Sequence, residues 1–335
     1  MNNTTECDPN DIPSVASYLQ ATDVYGIILI CLSTLVLILV SLTFVDTLRH
    51  VLRHTSSKVK ANTVCVIAIY PATCIASYLV VIVPRAQLIS EALIQWIVMC
   101  GLYQLICLYV GYCGGQKQMI KNLENHKLSI KVGPCCCWPC CALVPTFDVT
   151  KRTATNLKLL VLQLPIVQGL IYIILLVLNT EEKETYETYY KYLQPFLIIS
   201  ILLGIWGLSM TINILKDVLD PQFLISKKFF LLQLVIISSK LQALILKSLV
   251  WTGTLPCNTP LTSTTYANLI HNSFLMVEIF FLGLWARSIY KKDIPGVTKQ
   301  KPQLCFIDAF KNFNKKPEKN HNEQEAYDNE GCDFN

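Results

Sequence analysis

The stretch VYGIILICLSTLVLILVSLTFV, residues 24–45, contains 22 residues and not one charged side chain. A helix rises about 1.5 Å per residue, so about 20 apolar residues cross the hydrocarbon core of a bilayer. A helix of a soluble protein keeps a polar face and is seldom this long. The stretch therefore predicts a membrane-spanning helix. It follows an acidic segment and is too long for the apolar core of a signal peptide, so we expect it to be retained.

Six further stretches have a similar length and hydropathy. The chain of 335 residues is 53% hydrophobic and only 15% charged, whereas soluble proteins carry about 25% charged residues. We therefore predict an all-α integral membrane protein with seven transmembrane helices. In chain order these spans cover about residues 24–45, 61–84, 88–113, 158–180, 192–215, 229–250 and 265–286.

The distribution of basic residues predicts how the chain is oriented. The segments after spans one, three and five, together with the C-terminal tail, hold 22 of the 28 lysines and arginines. Because basic loops remain in the cytoplasm, we expect the N-terminus outside and the C-terminus in the cytoplasm. Residues 1–23 would then be extracellular, and 287–335 would be a polar, largely disordered cytoplasmic tail. The net charge of +5 fits a cytoplasmic membrane surface and does not indicate nucleic-acid binding.

The predicted extracellular segments carry two kinds of modification site. Asn2 and Asn3 each begin a glycosylation sequon. Cys7 and Cys257 are the two cysteines of the predicted extracellular segments. We expect them to form one disulfide, since that compartment is oxidising.

The segment GPCCCWPCC, residues 133–141, holds five of the fifteen cysteines and lies in the predicted cytoplasmic loop 114–157. Stable disulfides do not persist in that compartment. A zinc site would need a second ligand pair at a distance, and the loop supplies none. Apolar flanks near a bilayer favour S-acylation, with metal binding and unmodified thiols as the alternatives. The candidate lipidation sites are Cys135, Cys136, Cys137, Cys140 and Cys141.

Spans six and seven carry polar side chains at helical spacing, which is unusual within hydrocarbon. They fall on one stripe of each helix and comprise Gln233, Lys240, Lys247, Asn268, His271, Asn272 and Glu278. One interpretation is a solute path in which Lys240 or Lys247 attracts an anion. The other is a structural Lys240–Glu278 ion pair, with Lys247 reaching the membrane surface.

Three other polar residues of the spans invite simpler interpretations. Glu91 lies near the start of span three, and we expect it to be interfacial. Gln163 and Gln168 of span four are expected to form hydrogen bonds between helices.

The sequence contains no Walker A loop, no GxSxG and no HExxH motif. We therefore predict that the chain is not an enzyme and has no metal site and no cofactor. A seven-helix receptor is a further alternative, but the chain lacks an acidic-Arg-Tyr triplet after span three and an NPxxY motif in span seven.

Four segments resemble the alpha subunit family of the organic solute transporter. They are VPRAQL at 83–88, GGQKQMIKNL at 114–123, GPCCCWPCC, and HNSFLMVEIFFLGLWARSIYKKD at 271–293. The resemblance extends over most of residues 20–295. Trp138 within the cysteine run, and the lysines of span six, have no match in the family pattern, so the chain resembles a divergent member.

The resemblance implies facilitative transport of amphipathic organic anions, such as steroid sulfates or bile-acid-like solutes. It also implies a plasma-membrane location, with intracellular membranes as a second one, and a single-span beta subunit as partner. The family's lipid-modified loop corresponds to the cysteine run, and its span-seven glutamate to Glu278. The alternative is a trafficking or scaffold protein of the same fold that does not transport.

Overall fold

The computed structural model describes residues 13–123, 127–128, 132, 147–181, 183–257 and 261–292. Within these ranges the α-helices are α1 (Val15–His54), α2 (Ser57–Ile67), α3 (Ile69–Ile82), α4 (Gln87–Tyr112), α5 (Gln116–Leu123), α6 (Lys151–Glu181), α7 (Lys183–Leu215), α8 (Ile225–Trp251) and α9 (Ser263–Tyr290). Two short strands, β1 (Lys127–Leu128) and β2 (Phe147–Asp148), pair antiparallel between α5 and α6.

Seven helical stretches of the described chain are long and apolar enough to cross a membrane. They are Val24–His54, Ser57–Ile82, Pro84–Tyr112, Lys151–Glu181, Thr188–Leu215, Pro221–Trp251 and Ser263–Tyr290. Each predicted span overlaps one of them. The prediction of an all-α membrane protein with seven transmembrane helices is confirmed.

Several helices begin earlier than the uncharged runs suggested, and α1 and α7 do so by the largest margin. α1 starts at Val15, inside the segment expected to be extracellular, and Ser14 caps it by accepting a hydrogen bond from the Ser17 N–H at 3.3 Å. α7 starts at Lys183, ahead of the expected position 192. Charged and polar residues therefore extend these helices beyond the apolar stretches.

The second span is interrupted at Ala68, between α2 and α3. The cause is Pro71, whose ring clashes with the carbonyl four residues earlier, that of Ile67, and which has no N–H to donate to it. The break therefore falls one residue after Ile67, where α2 ends.

α4 is the central helix of the bundle. It packs against α2 and α3 on one side and against α6 on another. α3 in turn packs on α1 and α9, and α9 packs on α8. Most of the largest fully buried side chains belong to α4: Met99, Leu102, Tyr103, Leu105, Ile106, Leu108 and Tyr109.

The α6–α7 hairpin is held by close approach and by glutamine hydrogen bonds. A Cβ atom on Gly204 would lie 2.4 Å from the Leu164 side chain, so only glycine allows this separation. Gln163 Nε2 donates to the Ser200 carbonyl at 3.1 Å, and Gln168 Nε2 donates to the Leu197 carbonyl at 3.0 Å. Small residues and polar bonds are what hold helices together in lipid, and the expected role of the two glutamines is confirmed.

Candidate functional site

α7 and α8 are consecutive helices that do not pack extensively against each other. α7 packs along α6, whereas α8 packs along α9 and, less extensively, on α4. We call the end of the bundle where α1, α4 and α9 begin the upper end, and the opposite end the lower end. Residues 216–224 join α7 to α8 at the lower end. At the upper end the Lys247 Nζ atom lies 5.3 Å from the centroid of the Tyr190 ring. We call the space between these points, with α4 at its floor, the α7–α8 cleft.

Charged side chains gather in the upper half of this cleft. Lys240 Nζ of α8 lies 3.9 Å from Glu91 Oε1 of α4, and the two side chains are 43% and 33% exposed. Glu91, Lys240 and Lys247 all act electrostatically on His271 of α9. We call Glu91, Lys240, Lys247 and His271 the upper charged cluster. It draws on three helices and offers two ammonium groups against one carboxylate.

An aromatic wall borders the cluster on the side of α6 and α7. The Tyr186 and Tyr190 rings stack with centroids 5.8 Å apart. Both pack against a small buried apolar group that includes Ala92 of α4 and Tyr172 of α6. Glu91 acts electrostatically on Tyr172 as well. Cationic groups therefore stand next to an apolar, aromatic surface.

The prediction of a structural ion pair between Lys240 and Glu278 is wrong. Lys240 pairs with Glu91, and the Glu278 carboxylate instead accepts a hydrogen bond from Gln242. Successive residues of an α-helix are turned by roughly 100°, so positions 240 and 242 leave α8 on nearly opposite sides. Glu278 therefore lies on the side of α8 where Gln242 is, and it is separated from the upper charged cluster.

Glu91 is the residue of the cluster that the sequence led us to set aside as interfacial. An acidic side chain within a predicted span was the available signal, since such residues need a partner in the membrane. Its partner could not be identified from the sequence, because α4 and α8 are distant along the chain.

The other predicted path residues occupy different positions. Asn272 Nδ2 donates to Gln87 Oε1 at 2.9 Å, which ties α9 to the start of α4, and also to the Asn268 carbonyl at 2.8 Å. Gln233 lies deeper on α8, is 8% exposed, and its Nε2 atom has no hydrogen-bond partner among the described residues. The predicted stripe therefore divides, with Lys240, Lys247 and His271 brought together in the cleft.

The predicted modification sites mostly lie outside the described residues. These are Asn2, Asn3, Cys7 and the five cysteines at 135–137 and 140–141. Leu128, which precedes the cysteine-rich segment in the chain, pairs with Phe147, which follows it. Cys257 is disulfide-bonded, and its pairing with Cys7 stays a prediction. Among the described residues no three His, Cys, Asp or Glu side chains gather as a metal site would require.

Enclosed cavities in the described chain are small. The cavity between the lower parts of α4, α6 and α7 holds about 20 Å³, and another beside Tyr70 and Arg287 holds about 10 Å³. Such volumes suit one or two water molecules. Neither of these two cavities could hold a larger organic solute.

A seven-helix bundle with a charged cleft at membrane depth defines a class of polytopic membrane proteins. Within that class, the family model for the organic solute transporter Ostalpha matches residues 27–294. The chain belongs to this family, whose members are membrane transporters of organic solutes rather than enzymes.

Several relatives are named as organic solute transporter alpha proteins. The chain is 25% identical over 282 residues to an organic solute transporter alpha-like protein of Drosophila melanogaster, covering 84% of this chain and 85% of that protein. It is 28% identical over 221 residues to an organic solute transporter subunit alpha of Leucoraja erinaceus, covering 64% and 62%. It is 23% identical over 299 residues to the subunit alpha of Danio rerio, covering 87% and 91%. No solved structure matches the chain.

Proposed function

We propose that this chain is the alpha subunit of a facilitative transporter that moves amphipathic organic anions, such as steroid sulfates or bile-acid-like solutes, across the plasma membrane. The observation that most supports this proposal is the position of Lys240 in the α7–α8 cleft. Its side chain is partly exposed, and its Nζ atom lies 3.9 Å from Glu91 Oε1. Membership of the Ostalpha family supports the same activity.

The geometry of the Lys240–Glu91 pair suits exchange of one anion for another. A separation of 3.9 Å is long for an ion pair, and both side chains are partly exposed. Such a pair is weaker than a close, bidentate one. A solute sulfate or carboxylate can therefore displace Glu91 from Lys240 at little energetic cost.

The aromatic wall supplies the complementary apolar contact. A steroid-like body placed against the partly buried rings of Tyr186 and Tyr190 would leave water and gain about 25 cal/mol for each Å² of apolar surface buried. The cleft thus offers one cationic side and one apolar side to an amphipathic anion. Exchange down a gradient is our default, because no cluster of carboxylates suited to a coupling ion occurs among the described residues.

We further propose that the upper end faces outwards. The excess of lysine and arginine in the opposite loops supports this orientation. Asn2 and Asn3 would then be accessible to glycosylation, and Cys7 would pair with Cys257. Acylation of Cys135, Cys136, Cys137, Cys140 and Cys141 would hold the lower loop against the cytoplasmic leaflet.

A partner of a single transmembrane span belongs to the same proposal. The relatives from Leucoraja erinaceus and Danio rerio are named as transporter subunits, which is consistent with a heteromeric assembly. We expect this chain to require such a beta subunit for delivery to the plasma membrane.

The test is flux of a radiolabelled steroid sulfate from cells that express the chain, with and without a candidate beta subunit. Saturable flux above background supports transport. Correct surface delivery without flux in either setting would favour a scaffold or trafficking role. Ligand-dependent G-protein signalling without flux would favour a receptor.

A further inference from the structure

A second lysine of α8 is buried at the lower end of the bundle. Lys228, in the first turn of α8, is only 2% exposed. Its Nζ atom donates a hydrogen bond to the Tyr112 hydroxyl at 2.6 Å. The same atom lies 4.6 Å from the centroid of the Tyr112 ring and 5.0 Å from that of Tyr290. The ammonium group is therefore enclosed by aromatic side chains of α4 and α9.

No carboxylate of the described chain pairs with Lys228. Other basic side chains of the described chain, such as Lys240, Arg287 and Lys291, do form ion pairs with Asp or Glu. A buried charge is costly unless it is paired and fully hydrogen-bonded. One tyrosine hydroxyl and two ring faces satisfy the group only in part. The arrangement suits a positive group whose counter-ion is supplied from outside the protein.

A further unused donor lies beside this lysine. The Tyr290 hydroxyl is buried and has no hydrogen-bond partner among the described residues. An ammonium group carries three N–H bonds, and the contact with Tyr112 uses one of them. Lys228 and Tyr290 can therefore both donate to a single oxyanion. We call Lys228, Tyr112 and Tyr290 the lower tyrosine cage.

The lower tyrosine cage lies at a lower level of α8 than the upper charged cluster. Along α8, Gln233 lies seven positions below Lys240, and Lys228 lies five positions below Gln233. These steps correspond to roughly 10 Å and 8 Å along the helix axis. The Gln233 Nε2 atom is buried and unpartnered within the described residues. Gln233 lies on the same face of α8 as Lys240, whereas Lys228 is turned roughly 140° from Gln233 around the helix. Lys228 contacts α4 and α9 there, so the cage lies below the upper charged cluster and on a different side of α8.

We propose that Lys228 and Tyr290 form a lower binding site for the anionic group of the transported amphipath. A sulfate or carboxylate oxygen would accept hydrogen bonds from the Lys228 Nζ and the Tyr290 hydroxyl after leaving Lys240. This inference rests on the proposed function, and it adds a second binding site to the solute path. Phe223, whose ring centroid lies 4.7 Å from that of Tyr112, covers the cage from the α7–α8 connection.

Equilibrium binding tests the assignment. The full chain, with its partner subunit if that is required for purification, is placed in phosphatidylcholine nanodiscs and titrated with a tritiated steroid sulfate. We expect two molecules bound per chain in the wild type, one in Lys228→Met and one in Lys240→Met. Lys227→Met is the matched control, because Lys227 is the exposed neighbour of Lys228, and it should bind two.

A second variant covers the case in which Lys228→Met does not fold. Tyr290→Phe removes only the hydroxyl, and it should weaken the second binding event roughly five-fold. Lys228→Arg should retain two bound molecules. Two molecules bound in Lys228→Met, or an unchanged second event in Tyr290→Phe, would overturn the lower site.

The remaining outcomes separate this inference from the proposed function. Binding of one molecule by the wild type, lost in Lys240→Met, would overturn the lower site and leave the proposed function standing. No binding by the wild type would contradict both. If phosphatidylserine in the nanodisc displaces one bound molecule from the wild type, a lipid headgroup is the occupant, and the assignment to the solute is overturned.

Discussion

The Lys240 ammonium of α8 lies 3.9 Å from the Glu91 carboxylate of α4, and this contact links the two helices at the floor of the α7–α8 cleft. The pair reaches the surface of the bundle rather than being sealed inside it. A purely structural pair would be expected to pack more closely. The separation and exposure instead fit a cation that exchanges its own carboxylate for an anionic solute.

Removal of the competing carboxylate should improve solute binding. In Glu91→Gln, Lys240 has no ionised partner to give up, so the half-saturation concentration for steroid sulfate should fall roughly two- to five-fold, equivalent to about 0.5–1 kcal/mol. Concentration-dependent uptake at matched surface expression measures this. Glu181→Gln, an exposed acid at the end of α6, is the control and should leave the value unchanged. A rise in half-saturation with Glu91→Gln would contradict exchange at Lys240.

The contact between Lys247 and Tyr190 should control the upper end of the cleft. Because it joins α8 to α7, cysteines at both positions should be cross-linked by a short bifunctional thiol reagent, and flux should fall when they are. Reduction of the cross-link should restore flux. Each single-cysteine variant, treated alike, reports the effect of modification alone. Full flux with complete cross-linking, shown by mass spectrometry, would place the solute path elsewhere.

The α6–α7 hairpin should depend on the absence of a side chain at Gly204. A Cβ atom there would lie 2.4 Å from Leu164, whereas at Gly283 it would lie 3.9 Å from its nearest neighbour, Tyr70. Overpacking costs about 1–3 kcal/mol, so Gly204→Ala should lower the melting temperature in nanodiscs and Gly283→Ala should not. Leu164→Ala should partly restore stability to Gly204→Ala. Equal melting temperatures of the two glycine variants would refute the close approach.

The cysteine run should carry acyl chains. Acyl-exchange labelling of the wild type should be strong. It should be lost when Cys135, Cys136, Cys137, Cys140 and Cys141 are all changed to serine, because these positions lie in the loop expected at the cytoplasmic leaflet. Replacement of Cys31 and Cys65, which are exposed on the helices, is the control and should leave labelling intact. Labelling that survives the five-fold change would remove the acylation hypothesis.

The helices of this chain could be predicted because runs without charge reveal a bilayer solvent directly. Their ends could not, since polar residues continue α1 upstream to Val15 and α7 to Lys183 by local helix formation. The seven-residue spacing predicted Lys240 and Lys247 on one face of α8. Their partner could not be found that way, because the contact with Glu91 depends on how α4 lies against α8. Lys228 looked like an ordinary loop residue beside Lys227, and only the packing of α4 and α9 around it reveals its burial.

The assignment of Lys240 as the counter-charge of the solute is tested by the steroid sulfate flux of Lys240→Gln. It is compared with that of Glu278→Gln, at equal surface expression with the same partner subunit. Lys240→Arg is added as the variant that keeps the charge. We predict that at low solute concentration the flux of Lys240→Gln is lower than that of the wild type by roughly ten-fold or more. A ten-fold loss is equivalent to about 1.4 kcal/mol. Lys240→Arg should retain most of the flux, and Glu278→Gln should remain near the wild type, because Glu278 is paired with Gln242. Wild-type flux in Lys240→Gln, or an equal loss in both glutamine variants, would contradict the assignment of Lys240 as the counter-charge of the solute.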